Sequence, residues 1–253
     1  MKKKIQLMTH SVIGYPSLDE TVHFARIMEQ AGADYLELQI PFSDPLADGP
    51  TIMKACDYAL KSGTTVVKSL ETIRTITAQV SIPVYVMCYY NTAYTYGTEK
   101  FAKKIKNIGG SGLIIPDIPP DEEYNERYSE FCNQYDVENI RVLSPSSTID
   151  RIKKNISVAS GFIYYVARHG TTGANQTLDM TSIKKIRTIR KYTNLPIAVG
   201  FGISKKVHMK TLQDYADIAV VGSAIIDVIN KGKDYEKDIN SIKKPRQHTI
   251  YFR

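Results

Sequence analysis

Short runs rich in Val, Ile and Tyr alternate along this chain with longer stretches whose apolar residues recur every three to four positions. The first spacing marks strands and the second marks amphipathic helices. Strands are predicted at 5–12, 34–40, 84–89, 112–116, 139–143, 162–167, 197–199 and 218–221. Helices fall between them: 18–30, where Val22, Ala25, Ile27 and Met28 form the apolar stripe, then 51–61, 66–79, 99–108, 122–135, 149–155, 182–192, 205–212 and 224–230. Gly32, Gly63, Gly109 and Gly110 stand where helices should stop. The alternation predicts parallel βα units, and eight of them close into a (β/α)8 barrel, the TIM-barrel class. No linker interrupts the pattern, so residues 1–253 are expected to form one domain with a polar, basic tail from about 231.

Composition narrows the picture. At 253 residues and 43% hydrophobic, the chain matches the usual size of such a barrel. No apolar stretch approaches the ~20 residues of a membrane helix. The start, Met1-Lys2-Lys3-Lys4-Ile5, lacks the long apolar run of a signal peptide. Cys56, Cys88 and Cys132 are scattered and odd in number, which predicts neither disulfides nor a zinc cluster and fits a cytoplasmic protein. The net charge of +7 sits largely on predicted helix faces, among them Lys100, Lys103, Lys104 and Lys106. No nucleic-acid-binding motif accompanies it, so solvated faces with mild attraction for anionic substrates are expected rather than a nucleic-acid partner.

Segment 37–50, Glu-Leu-Gln-Ile-Pro-Phe-Ser-Asp-Pro-Leu-Ala-Asp-Gly-Pro, carries the most chemistry. It places Glu37 within an apolar strand and Asp44 and Asp48 on the loop beyond, where barrel enzymes keep their sites. In a strand Glu37 and Gln39 share one face, and Leu38 and Ile40 the other. Burial among apolar neighbours raises the pKa of a carboxyl toward a range useful for proton transfer. A structural acid paired with a core Arg or Lys is the competing reading. Asp44 and Asp48 also fit ordinary turn chemistry, and Pro50 suits a first helical turn.

Two late glycine sites, 196–204 with Gly200, Phe201 and Gly202, and 219–225 with Gly222 and Ser223, fall after strands seven and eight. Loops there, beside a helix N-terminus, form the phosphate cradle usual for this fold, although the glycines also suit plain tight turns. Segment 168–175 after strand six, rich in Gly and Thr, is either a lid or a solvent loop. His10, His23, His169, His208 and His248 show no metal-ligand spacing.

Together these motifs, in this order, resemble the tryptophan synthase α subunit family, from about Leu18 to about Ile229. The resemblance implies retro-aldol cleavage of indole-3-glycerol phosphate to indole and glyceraldehyde 3-phosphate. The family's strand-two glutamate falls on Glu37, as acid/base, and the aspartate of its Ala-Asp-Gly-Pro element on Asp48, which would hold the indole N–H. Thr172 matches a lid threonine and Tyr164 a pocket tyrosine, while Gly173, Gly202, Gly222 and Ser223 match the phosphate cradle, with Phe201 between. No metal or organic cofactor is implied for this chain. The family pairs with a PLP-dependent β subunit, typically as αββα, and the contact surface should include Pro41, Phe42, Asp44, the loop 91–97 with Asn91, and 117–119 with Asp117 and Pro119. Exposed Phe42, Tyr94 and Tyr96 fit an interface.

The chain departs from the family's pattern at three places. Gln39 replaces a glycine, His10 stands where a pocket aromatic is expected, and no helix precedes strand one. The last is expected to expose apolar surface at the barrel base. The first two motivate an alternative, a weakly active or inactive chain that serves as allosteric partner of the β subunit. A stand-alone phosphate-binding barrel lyase is a third reading.

Overall fold

The computed structural model describes residues 5–167, 180–200 and 211–231. Eight parallel strands close into one barrel in chain order: β1 (Gln6–Val12), β2 (Tyr35–Gln39), β3 (Val84–Met87), β4 (Gly112–Ile114), β5 (Glu138–Leu143), β6 (Ile163–Val166), β7 (Ile197–Gly200) and β8 (Ile218–Val221), with β8 pairing back onto β1. This is the (β/α)8 architecture that the hydrophobic pattern predicts.

Most described helices lie where the apolar stripes place them, local chemistry fixes their starts, and the helix predicted over 205–212 lies outside the described residues up to 210. Ser17 caps α1 (Leu18–Gln30) by accepting from the Glu20 N–H at 3.1 Å, with Asp19 and Glu20 in the first turn, where the helix dipole favours acids. Pro50 opens α2 (Pro50–Lys61), and Thr65 caps α3 (Val66–Thr77). The region 91–97, predicted as loop, is instead the helix α4 (Tyr90–Tyr96). Its first N–H, on Tyr90, is taken up by Asp117 from the loop after β4 at 2.8 Å, and Gly97 at φ 92° separates it from α5 (Thr98–Asn107). The single helix predicted over 122–135 is broken into a 3-10 turn (Pro120–Glu122), α6 (Glu123–Glu126) and α7 (Tyr128–Gln134). Arg127 sits between the last two in left-handed backbone, pairing with Glu130 and lying over the Phe131 ring. α8 (Ile149–Val158), α9 (Met180–Arg190) and α10 (Ser223–Lys231) complete the described helices. Among the described residues no helix is long and apolar enough to cross a membrane.

Two apolar layers result. Outward strand residues such as Leu36, Leu38, Val86, Leu113 and Val199 pack under the helices, while Met8, Met87, Ile114, Ile140, Ala198 and Val220 fill the barrel. At the strands' N-terminal ends the sequence predicts exposed apolar surface. There the rings of Tyr35, Tyr85 and Phe162 pack together inside the barrel. Tyr85 and Phe162 meet edge to face at 5.0 Å, and the Tyr85 hydroxyl donates to Glu138 at 2.6 Å. Gly112 is required beside this plug, because a Cβ there would lie 2.8 Å from the Tyr85 ring.

Candidate active site

The opposite end of the barrel holds the polar side chains. Parallel register sets His10 of β1 beside Glu37 of β2, and both turn inward, as does Gln39 two residues on. The face assignment drawn from the alternation of Glu37, Leu38, Gln39 and Ile40 therefore agrees with the structure. Glu37 is 2% exposed, and His10 Nδ1 lies 3.4 Å from its Oε2.

Beyond β2 the chain turns tightly, with Leu46 N–H donating to the Asp44 carbonyl at 2.8 Å and Asp48 N–H to that of Pro45 at 3.0 Å. This turn folds Asp48 back over the barrel mouth, where two donors converge on its Oδ2: the Gln39 amide at 2.7 Å and the Tyr89 hydroxyl at 2.9 Å. The same Tyr89 oxygen accepts the Ala47 N–H at 2.9 Å, which ties the turn to the end of β3. With Oδ2 doubly engaged, Oδ1 is the oxygen that Asp48 offers to a ligand.

The electrostatics follow from burial and company. Burial pushes the Asp48 carboxyl up, and His10, Gln39 and Tyr89 pull against it. For His10 burial works against the charged ring, but Glu37 beside it, then Asp48 and Gln39, outweigh that and leave the imidazole above its ordinary value. Tyr164, inward on β6, is pushed well up by burial and then by Glu37 and Asp48, so its phenol stays neutral. His10 Nε2, Glu37 Oε2 and Gln39 Oε1 are buried without a hydrogen-bond partner. Such atoms normally find one, so a cluster of them on inward-facing side chains marks a place for a ligand.

Of the predicted phosphate cradle, Gly222 and Ser223 are described. Ser223 opens α10, and Gly222 approaches His10 closely enough that a Cβ would lie 3.4 Å from the His10 Cβ. Thr172, Gly173, Phe201 and Gly202 lie outside the described residues, as does the predicted lid 168–175.

The predicted contact residues are partly brought together. Phe42, Asp44 and Asp117 line a pocket of about 360 Å³ with Leu46, Ala47, Tyr89 and Pro116. Asn91 is exposed on α4, and Pro119 is half-buried. Three differ from expectation, one of them Tyr96, which is half-buried with its ring against Phe101 at 5.5 Å. Pro41 is buried rather than at the surface, since it continues directly from β2, and Phe42 is half-buried because its ring stacks on Tyr89 at 5.1 Å. Sequence reasoning missed Tyr89 and Leu46, the latter 81% exposed. The signal for Tyr89 was its place two and four residues after Met87 and Tyr85, on the same inward face.

A family model for the tryptophan synthase alpha chain matches residues 1–250. The chain belongs to that family. It is 42% identical over 229 residues to the tryptophan synthase alpha chain of Desulfotalea psychrophila, covering 90% of this chain and 89% of that one. It is 37% identical over 246 residues to that of Dehalococcoides mccartyi, covering 97% and 96%. Among solved structures, a mutant tryptophan synthase alpha-subunit from the hyperthermophile Pyrococcus furiosus superposes with TM-score 0.87 at 28% identity, covering 96% of this chain and 99% of that one. A chain of tryptophan synthase from Mycobacterium tuberculosis gives TM-score 0.87 at 28% identity over 94% and 91%. The reaction of the tryptophan synthase alpha family is the retro-aldol cleavage of indole-3-glycerol phosphate to indole and glyceraldehyde 3-phosphate, a lyase step of tryptophan biosynthesis that needs no cofactor in the alpha chain.

Proposed function

We propose that this chain performs the family's cleavage with Glu37 as proton donor and acceptor and Asp48 as the anchor of the indole N–H. The supporting observation is the convergence of these two carboxylates on one barrel mouth, Glu37 with His10 beside it and Asp48 with the Gln39 amide. Glu37 gives a proton to indole C3, and the ring nitrogen becomes cationic opposite Asp48 Oδ1. The carboxylate then takes the proton of the glycerol hydroxyl as the carbon–carbon bond breaks. The bonding pair returns to the ring, indole re-forms, and the former hydroxyl carbon becomes the aldehyde. Asp48 acts as a fixed counter-charge that needs no reorganisation. Tyr164, Thr172 and Phe201 are assigned to the substrate pocket, and Gly173, Gly202, Gly222 and Ser223 to the phosphate.

The partner in this reading is a PLP-dependent β subunit in an αββα assembly in the cytoplasm, docking over Phe42, Asp44, Leu46, Asn91, Asp117 and Pro119, with Pro41 supporting them from beneath. The deciding experiment is indole release by Glu37→Gln. A fall of ~10²–10⁴-fold is expected for loss of a general acid/base, and unchanged turnover would sink the assignment.

One observation favours a second reading. The Gln39 amide already occupies Asp48, as it would in a chain that cleaves poorly and serves the β subunit as an allosteric partner. Activation of β by a wild-type chain that releases no indole would select it.

A further inference from the structure

The reaction leaves an electrostatic problem that the two carboxylates do not solve. Between its two proton transfers Glu37 is an anion, 2% exposed, in the same mouth as Asp48. The cationic ring nitrogen is matched by Asp48, which leaves the Glu37 charge without a partner unless the protein supplies one. A buried, unpaired carboxylate is costly.

We propose that His10 is the positioning residue that supplies it: as an imidazolium 3.4 Å from Glu37 it holds the carboxylate during the interval between the two transfers. This inference rests on the function proposed above and adds a member to its machinery.

The geometry carries it in three ways. The β1–β2 register places residue 10 directly opposite residue 37, so no side-chain rearrangement is needed to bring them together. Among the described residues, the groups facing the imidazole are Glu37 and Gln39 from β2, Asp48 from the loop beyond, and Gly222, which brings no charge. Tyr164 reaches Glu37 from β6 with a neutral phenol. The cation therefore meets carboxylates and no competing cation. Finally, each acid has its own polar neighbour, His10 at 3.4 Å from Glu37 and the Gln39 amide at 2.7 Å from Asp48. Burial-opposed protonation of the ring is consistent with this company.

The proton count closes. Glu37 loses one proton to C3 and regains one from the hydroxyl, while His10 keeps its own throughout. The imidazolium must therefore be present for turnover, and loss of its proton should switch its contribution off.

Two measurements test this. The first is the NMR titration of the His10 Cε1–H, assigned by its absence in His10→Gln, in the full chain and in Glu37→Gln. His10 should titrate above the ordinary value and move down when Glu37 loses its charge. The second is the pH dependence of kcat for wild type, His10→Phe and His10→Gln, each checked for folding by circular dichroism. The wild type should lose activity on its alkaline limb. Both variants should lose the part of that limb set by the imidazolium and run about tenfold or more below wild type at neutral pH, with KM nearly constant; tenfold in rate is ~1.4 kcal/mol. A His10 titration unmoved by Glu37→Gln, or a His10→Gln profile that overlays wild type, overturns the proposal. A wild-type chain that releases no indole defeats the parent reading instead, and the titration still reads the ion pair.

Discussion

Tyr89→Phe removes one oxygen and breaks two connections at once. That oxygen donates to Asp48 Oδ2 at 2.9 Å and accepts the Ala47 N–H at 2.9 Å, while the ring beneath Phe42 remains. The packing is thus preserved and the loss is confined to hydrogen bonding. A bond to a charged group contributes ~1.5–3 kcal/mol and a neutral one ~0.5–1.5. Water reaches part of the rim, so the fold should lose about 1–3 kcal/mol in all. For a chain of this size that lowers Tm by roughly 2–12 °C. Catalysis should suffer separately, because among the described side chains Asp48 keeps only the Gln39 amide to orient it. A misplacement worth ~1.5–3 kcal/mol in the transition state is ~10–100-fold in kcat. Tyr89 also pulls the Asp48 carboxyl down, so its removal should move the acid limb of activity to higher pH. Thermal melts and indole release from pH 5 to 9 read both effects. A variant with wild-type Tm and wild-type kcat would show that the turn carrying Asp48 is not held from β3.

Three further outcomes are expected. His10 has a raised folded-state pKa, so its pairing stabilises the fold fully below its unfolded value near 6.5 and is lost as pH rises through the higher folded value; urea midpoints across pH 5–9 should converge for wild type and His10→Gln at the alkaline end, and parallel curves would contradict this. Gly112→Ala sets a methyl 2.8 Å from both the Tyr85 ring and the Glu138 carbonyl and should cost ~1–3 kcal/mol by overpacking, an effect that a wild-type denaturation midpoint would disprove. Leu46→Asp, at a side chain 81% exposed, should leave the isolated chain's Tm unchanged yet weaken association with a β subunit about tenfold or more; sedimentation with β showing equal affinity would remove Leu46 from the contact.

Legibility in the sequence tracked whether a feature was local. The alternation Glu37-Leu38-Gln39-Ile40 gave the inward face of β2 without any knowledge of neighbours, and Pro50 marked a helix start by its own chemistry. Features that depend on a distant residue stayed hidden. α4 begins where Asp117, 27 residues away, accepts the Tyr90 N–H. The break at Arg127 follows from no Gly or Pro in the run, and its partners Glu130 and Phe131 look like ordinary helix surface. The pairing of His10 with Glu37 arises from strand register, and the Tyr89–Asp48 bond joins residues 41 apart. The candidate acids were therefore readable as types in a pattern, while the side chains that orient them were readable only after the barrel closed.

Tyr35, Tyr85 and Phe162 make the barrel a blind alley. Among the described residues, whatever is released beside Glu37 meets these rings underfoot, while the rim that carries Phe42 and Leu46 lies on the other side. A protein seated on that rim would thus stand at the open end of the barrel, and could receive an oily product without any dedicated conduit being built into this chain.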